Sequence, residues 1–322
     1  MPRDKQDAGP LALSNRKSEI GNRKSKRRLR AALTHAVLAT GAAVVAFPFF
    51  WMVMTALKGD AEARGMPTLL PAGWPTQWHW GNFAQAWRAM EPPFSTCFFN
   101  TLLVAVLVTA GVVVTSLLAG YAFARINFVG KRALFVVFLA TMMVPFEVVL
   151  VPNYMLVTAL KNALRDGLVG VLGPGAEGGA RTLGAFGALI VPWTANVFSI
   201  FLVTQFFRQM PQDYYDASVL DGCGHWQFLW RIGAPMVSPA LVTAGLFSFL
   251  GSWNSLLWPL VVNAPGEADV IQVALTRMVR EEQEGFNLLM AASTFTILPV
   301  VFLYLAAQRR FIEGVAGTGL KG

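Results

Sequence analysis

The chain has 322 residues, 55% hydrophobic and only 14% charged, against about a quarter charged in a soluble domain, so composition excludes an ordinary soluble protein and places the chain in a bilayer. A net charge of +8 does not indicate nucleic-acid binding, because ten of the 26 Lys and Arg are gathered between Arg3 and Arg30, ahead of an apolar run. Two cysteines, Cys97 and Cys223, are too few for a metal site, and His35, His79 and His225 are too scattered for a shared ligand set or triad.

From the N-terminus, residues 1–30 read as a basic tail that holds the chain end in the cytoplasm and favours anionic lipid. The first predicted span is Ala31–Leu57. The Ala61-Glu62-Ala63 that follows mimics a signal-peptidase site, but the apolar run exceeds the roughly 7–15 residues of a signal core, so an uncleaved anchor is expected. A loop from Lys58 to Ser95 holds Trp74, Trp78, Trp80 and Trp87, either an interfacial belt or a contact surface for an external protein. Further spans are predicted at Cys97–Phe123, Leu134–Leu160, Leu183–Phe207, Pro239–Val262 and Phe286–Ala307, giving an all-α polytopic protein with about six transmembrane helices. Gly111, Ser116, Ala119 and Gly120 in the second span permit close helix packing. Pro48, Pro145, Pro152 and Pro192 interrupt the first, third and fourth spans, as suits helices that rock between two states. The loop Lys161–Thr182, with Gly173-Pro174-Gly175 and Gly178-Gly179, is expected to be a flexible linker.

With the N-terminus inside, eighteen of the 26 basic residues fall on the inner side, and most of that excess is the tail. Both termini and the segment Gln209–Pro235 are then cytoplasmic, with the loops Lys58–Ser95, Lys161–Thr182 and Asn263–Gly285 outside.

Gln209–Pro235 is a polar island between two spans. Pro211 starts a helix that runs to Leu220 and stops at Asp221-Gly222. A second short helix begins near His225, carries Trp226, Leu229 and Trp230 at i, i+3, i+4 spacing, and ends near Gly233 and Pro235. Two half-apolar helices joined by a tight turn form a docking device for a soluble partner, although Trp226 and Trp230 could equally pack on the chain's own helix ends. Within the spans, polar side chains are costly unless paired or wet, which singles out Glu147, Asn153, Asn196 and the pair Trp253-Asn254 beside Ser252. Amides and carboxylates bind sugar hydroxyls and aromatic faces bind a sugar's C–H surface; the alternative is interhelical bonding or a helix break. No GxxxxGK[ST] loop and no enzymatic constellation is present, so any energy must come from another subunit.

Asp216-Ala217-Ser218, Asp221-Gly222, Phe228, Ile232, Pro235 and Pro239 together resemble the EAA loop of ABC-importer permeases, with Phe206 to Pro211 as its lead-in. Asn100-Thr101-Leu102, Ala119 to Arg125, Val144-Pro145, Trp253-Asn254, Trp258-Pro259-Leu260 and Gln308 to Gly314 extend the likeness from about Ala31 to the C-terminus, and together they are similar to the carbohydrate-uptake branch. Asp-Ala-Ser replaces the family's Glu-Ala-Ala, and Asp-Gly-Cys its Asp-Gly-Ala. The resemblance implies a type I importer fold in the bacterial inner membrane, with a permease domain over 31–308, a coupling loop over 209–235 and a C-terminal tail over 309–322. It also implies a second permease, an ABC ATPase dimer holding ATP and Mg, and an extracytoplasmic solute-binding protein, with no cofactor in this chain. Asp216, Ala217, Ser218, Leu220, Asp221, Gly222, Trp226 and Leu229 become the expected ATPase-coupling residues, Asp216 pairing with a base and Gly222 allowing a turn that a Cβ would obstruct. Glu147, Asn196, Trp253 and Asn254 become candidates for the substrate path. A polyol or glycerol-phosphate cargo is an alternative, disfavoured by the absence of Lys or Arg from the predicted spans. A standalone secondary transporter would need inverted repeats and intramembrane ion sites, which the sequence does not display.

Overall fold

The computed structural model describes residues 10–280 and 285–319, with side chains at Arg27, from Arg30 to Arg280 and from Gly285 to Gln308. Every regular element among them is helical, as the all-α expectation requires. α1 (Pro10–Ala56) runs unbroken from the basic segment through the first span despite Pro48. Short helices α2 (Asp60–Arg64) and α3 (Gly81–Arg88) lead to α4 (Phe94–Arg125). Then come α5 (Lys131–Ala140), α6 (Phe146–Leu172), α7 (Glu177–Ile190), α8 (Val197–Gln209) and α9 (Gln212–Leu220). The order closes with α10 (His225–Phe228), α11 (Ala234–Met236), α12 (Ser238–Trp253), α13 (Leu257–Val262), α14 (Ile271–Arg280) and α15 (Phe286–Gly319). The basic residues up to Lys26, Arg28, and the motif side chains Arg309 to Glu313 lie outside the described side chains, whereas Arg27 is described and exposed.

Among the described residues Arg30–Ala56, Phe94–Arg125 and Phe286–Gln308 are each long and apolar enough to cross a membrane, and three bent helix pairs bring the number to as many as six if each pair is one span. Of the prolines expected to interrupt spans, Pro145 and Pro192 mark bends, whereas Pro152, like Pro48, lies inside an unbroken helix; proline chemistry explains these two bends and a further helix break. Pro145 has no N–H for the Thr141 carbonyl and forces Val144 into an extended conformation (φ −81°, ψ 115°), so α5 and α6 diverge by 103°. Pro192 sits in a 3₁₀ turn, Val191–Trp193, ahead of a 43° bend. The predicted span Pro239–Val262 stops at Trp253 and resumes at Leu257: Pro259 cannot bond the Ser255 carbonyl four residues back, and Asn254 Nδ2 donates to Leu250 O (2.9 Å) at the break. The third bend, 76°, falls between α11 and α12.

α4 is the axis of the bundle. Its buried positions Val104, Val108, Val112, Ser116 and Gly120 recur every four residues: the three valines pack with Ala185, Ala188 and Leu189 of α7 and with Trp258 and Val262 of α13, and Gly120 meets Val203 of α8. The expected close packing is present: a Cβ on Gly111 would lie 2.7 Å from Thr194 Cγ2, and one on Gly120 would lie 2.8 Å from Val203 Cγ1. At the α1 end of α15, Lys58 is buried and donates to Thr68 O (2.6 Å), while Asn82 and Asn287 both donate to Lys58 O. Trp87 packs among Phe94, Phe98 and Phe295, whereas Trp74 and Trp80 stay exposed.

The supposed linker 161–182 is not a linker. α6 continues through it to Leu172, Gly173 (φ +85°) ends the helix, and α7 starts at Glu177 with Gly178 and Gly179 inside it. Glycine clusters mark a loop only where helix packing does not supply the missing stability, and here α6 and α7 lie against each other as a hairpin. Lys161 clamps this hairpin to the bundle by an ion pair with Glu267, whose carboxylate also accepts the Ala264 N–H (3.2 Å). Burial alone would raise the Glu267 pKa, but those two hydrogen bonds and the Lys161 charge outweigh it and hold it below its ordinary 4.5. A depressed carboxylate pKa stabilises the fold above the unfolded value and stops doing so as pH falls through the folded value. Acidification below about pH 4.5 is therefore expected to destabilise the wild type more than Glu267→Gln, so that their melting temperatures converge; parallel melting curves would contradict this.

Candidate functional site

Two regions concentrate polar groups and irregular backbone. The first is a central cavity of about 440 Å³, built where the helix breaks meet. Phe146 follows the Pro145 break, Trp193 and Asn196 belong to the Pro192 break, and Ser252, Ser255 and Leu256 belong to the break before Pro259, all lining it against the α4 face. Non-helical backbone at membrane depth is tolerable where it borders such a space. Phe146 packs on Trp193 at 5.4 Å between ring centroids, Trp193 on Trp258 at 6.0 Å, and Phe198 on Phe247 at 5.9 Å. Thr101, Asn196, Ser199, Ser248, Ser252 and Ser255 add hydroxyls and one amide, and no lining residue is charged.

Of the four residues expected on a substrate path, Asn196 lines this cavity, and its Oδ1 also accepts the Ser199 N–H (3.0 Å) as the N-cap of α8. The other three do not. Trp253 is 1% exposed, stacked on Phe249 and donating Nε1–H to Thr296 O (3.0 Å), so its faces hold helices together. Asn254 is exposed beyond the cavity lining, bonded to Leu250 O and near Gln272. Glu147 is exposed in the first turn of α6, outside the lining, where the partial positive charge of a helix start favours it. Sequence reasoning missed Trp193, Phe198 and Phe247; the signal available for Trp193 was its place directly after the interrupting Pro192.

The second region is the island, whose helices form as expected. α9 runs from Gln212 with Pro211 as its N-cap. It ends in a Schellman arrangement in which Gly222 N–H bonds Val219 O (3.0 Å) and Cys223 N–H bonds Ser218 O (2.9 Å). Gly222 adopts φ +81°. A Cβ there would meet nothing within 4 Å, so the turn requires glycine for its dihedral angle and not for space. α10, a π turn over Leu229–Gly233 and α11 make the second helical stretch.

The island has an inner and an outer face. Phe228 and Leu229 are buried against Phe207 and Tyr121, the Tyr121 hydroxyl lies 2.7 Å from His225 Nδ1, and Tyr215 stacks on that imidazole. Arg125 ties the end of α4 to Gln212 and to Met210 O (2.6 Å). Leu229 is thus core and presents nothing to a partner. Ser218 is likewise buried, its hydroxyl donating to Tyr215 O (2.7 Å). Outward stand Asp216, Ala217, Asp221 and Gly222, with Leu220 89% and Trp226 65% exposed. Trp226 and Trp230 pack edge-on together at 5.7 Å and stay on the surface. Asp216 accepts only the Gln212 amide (3.1 Å) and forms no ion pair among the described residues. An exposed apolar patch beside an unpaired carboxylate suits a soluble partner with a basic rim.

Comparison with known proteins places these features. Residues 111–316 match the family described as Binding-protein-dependent transport system inner membrane component. The chain is 29% identical over 296 residues to the diacetylchitobiose uptake system permease protein of Streptomyces coelicolor, covering 91% of this chain and 89% of that one. It is 29% identical to the arabinooligosaccharides transport system permease protein of Bacillus subtilis, covering 86% and 90%. Its fold matches a chain of a bacterial ABC transporter involved in import of the acidic polysaccharide alginate, with a TM-score of 0.68, 20% identity, and coverage of 89% and 98%.

Proposed function

The chain belongs to the binding-protein-dependent transport system inner membrane component family, and from that premise we propose that it is the permease subunit of an ATP-driven ABC importer carrying a neutral sugar or oligosaccharide by alternating access. The observation that carries the substrate class is the lining of the central cavity: aromatic faces, hydroxyls and an amide, with no charge. A phosphorylated glycerol would need a cation there to offset desolvation of its phosphate. Permeases for diacetylchitobiose and arabinooligosaccharides among its relatives support the same reading. This chain is a multi-pass inner-membrane component that performs no chemistry itself. A partner ATPase dimer binds ATP and Mg, a solute-binding protein delivers the cargo, and a second permease completes the pathway. Both termini and the 209–235 loop face the cytoplasm, where Asp216, Leu220 and Trp226 meet the ATPase. Because the loop's inner face is locked to α4 and α8 through Tyr121, Phe207 and Arg125, a push on it moves the helices that wall the cavity.

The test is uptake into vesicles reconstituted with the partner subunits, with neutral oligosaccharides competed against glycerol phosphate compounds. ATP-dependent uptake of the neutral sugars alone is expected; uptake confined to the phosphorylated compounds would overturn the reading. Ser252→Phe, which fills the cavity, is expected to abolish uptake while the assembled complex is recovered normally. Asn254→Leu, off the cavity, is expected to leave uptake close to wild type, and a loss there equal to that of Ser252→Phe would relocate the path.

A further inference from the structure

We propose that a pocket between α6, α7 and the 263–267 segment binds the phosphate group of an anionic phospholipid. The pocket has a volume of about 330 Å³, lies at the end of the bundle opposite the 209–235 loop, and shares no lining residue with the central cavity. Thr158, Lys161 and Arg165 of α6, Arg181 of α7, and Asn263 and Glu267 form its polar wall.

Three cations face one carboxylate there. Glu267 is committed to Lys161. Arg165 has only the neighbouring Asp166, itself 67% exposed, and Arg181 forms no hydrogen bond or ion pair among the described residues, its charge acting on the same Glu267 that Lys161 already holds. Lys161 and Arg165 are four apart on one helix face, a spacing at which like charges repel when no anion lies between them. The Thr158 hydroxyl, also in the wall, is buried without a hydrogen-bond partner. A buried polar atom left unpaired is costly, so this wall lacks an acceptor. A phosphate supplies it: the guanidinium forks of Arg165 and Arg181 match its oxygens, and a further oxygen accepts from Thr158.

The surroundings favour a lipid as the source of that phosphate. Leu156 and Leu160, nearer the middle of α6 than Lys161, are 70% and 58% exposed, a surface for acyl chains below the headgroup.

The complex of this chain with its partner subunits, purified in detergent, would be titrated with labelled phosphatidylglycerol and, separately, phosphatidylcholine. Arg165→Gln/Arg181→Gln leaves the Lys161–Glu267 clamp in place and is expected to weaken phosphatidylglycerol binding about tenfold or more without changing phosphatidylcholine binding. Thr158→Val, nearly isosteric, is expected to weaken it in the same lipid-selective way and serves if the double variant does not fold. Phosphatidylglycerol binding at wild-type strength in the folded variants would overturn the proposal. Inorganic phosphate is the third arm: displacing the lipid only at far higher concentration supports a lipid headgroup, and matching it would overturn the lipid as the source.

Discussion

Replacing Gly222 by Val is expected to leave the protein inserted in the membrane while its association with the ATPase weakens. The residue sits at φ +81° as the penultimate element of the Schellman turn that ends α9. A β-branched side chain is strained there by about 1–2 kcal/mol. No neighbour would be struck, so the strain is relieved by unwinding the turn, which carries Leu220 and Asp221 away from their places on the outer face. At about 1.4 kcal/mol per tenfold, a loss of that size falls almost wholly on docking and weakens ATPase association by roughly tenfold. Gly222→Asn should restore much of it, since Asn tolerates a left-handed backbone. Asp216→Lys acts on the same surface by charge, replacing attraction with repulsion at a side chain that no cation of this chain holds among the described residues. Both variants are assayed by co-purification of the ATPase and by substrate-stimulated ATP hydrolysis. Full retention and full stimulation in both would mean that the loop is not the coupling element.

Gly120→Leu is expected to destabilise the bundle strongly. The first added carbon already lies 2.8 Å from Val203 Cγ1 and 3.2 Å from the backbone N of Thr204, so α4 and α8 must separate. They cannot do so freely, because Phe207, one turn below, is fully buried against Tyr121 and the island's Phe228. Overpacking typically costs about 1–3 kcal/mol, and a collision with backbone leaves little room for relief by rotamer change. A large drop in melting temperature and in the monodisperse fraction is expected by fluorescence-detected chromatography. Gly187→Ala, on α7 with nothing within 4 Å of its added carbon, is the control and should be neutral or slightly stabilising. Equal stability of the two variants would show that α4 and α8 are not held at this distance.

Residues 209–235 were legible because their signals are local. A proline before a helix, an Asp-Gly after it and an i, i+3, i+4 apolar stripe each act within one or two turns, and the described helices follow them closely. The stripe does not say which neighbour will cover it. Leu229 and Trp226 belong to one apolar set in sequence, yet one is 3% and the other 65% exposed, because Phe207 and Tyr121 arrive from α8 and α4 to cover only the first. The same limit governs which residues line the central cavity. Trp253 and Asn254 are chemically suited to a sugar, but the turn of α12 points the indole at α15 and leaves the amide beyond the lining.

The sequence by itself determined the membrane class, the helix breaks at Pro145 and Pro192 and the two-helix island, since composition and hydrogen-bonding capacity belong to residues and their near neighbours. Only the tertiary structure decided how sharply the breaks bend, that 161–182 is a helical hairpin, and that Phe146, Trp193 and Ser252 converge on one cavity. Those outcomes depend on α4, α7, α8 and α12 meeting across long sequence separations, where each helix selects which side chains of the others remain uncovered.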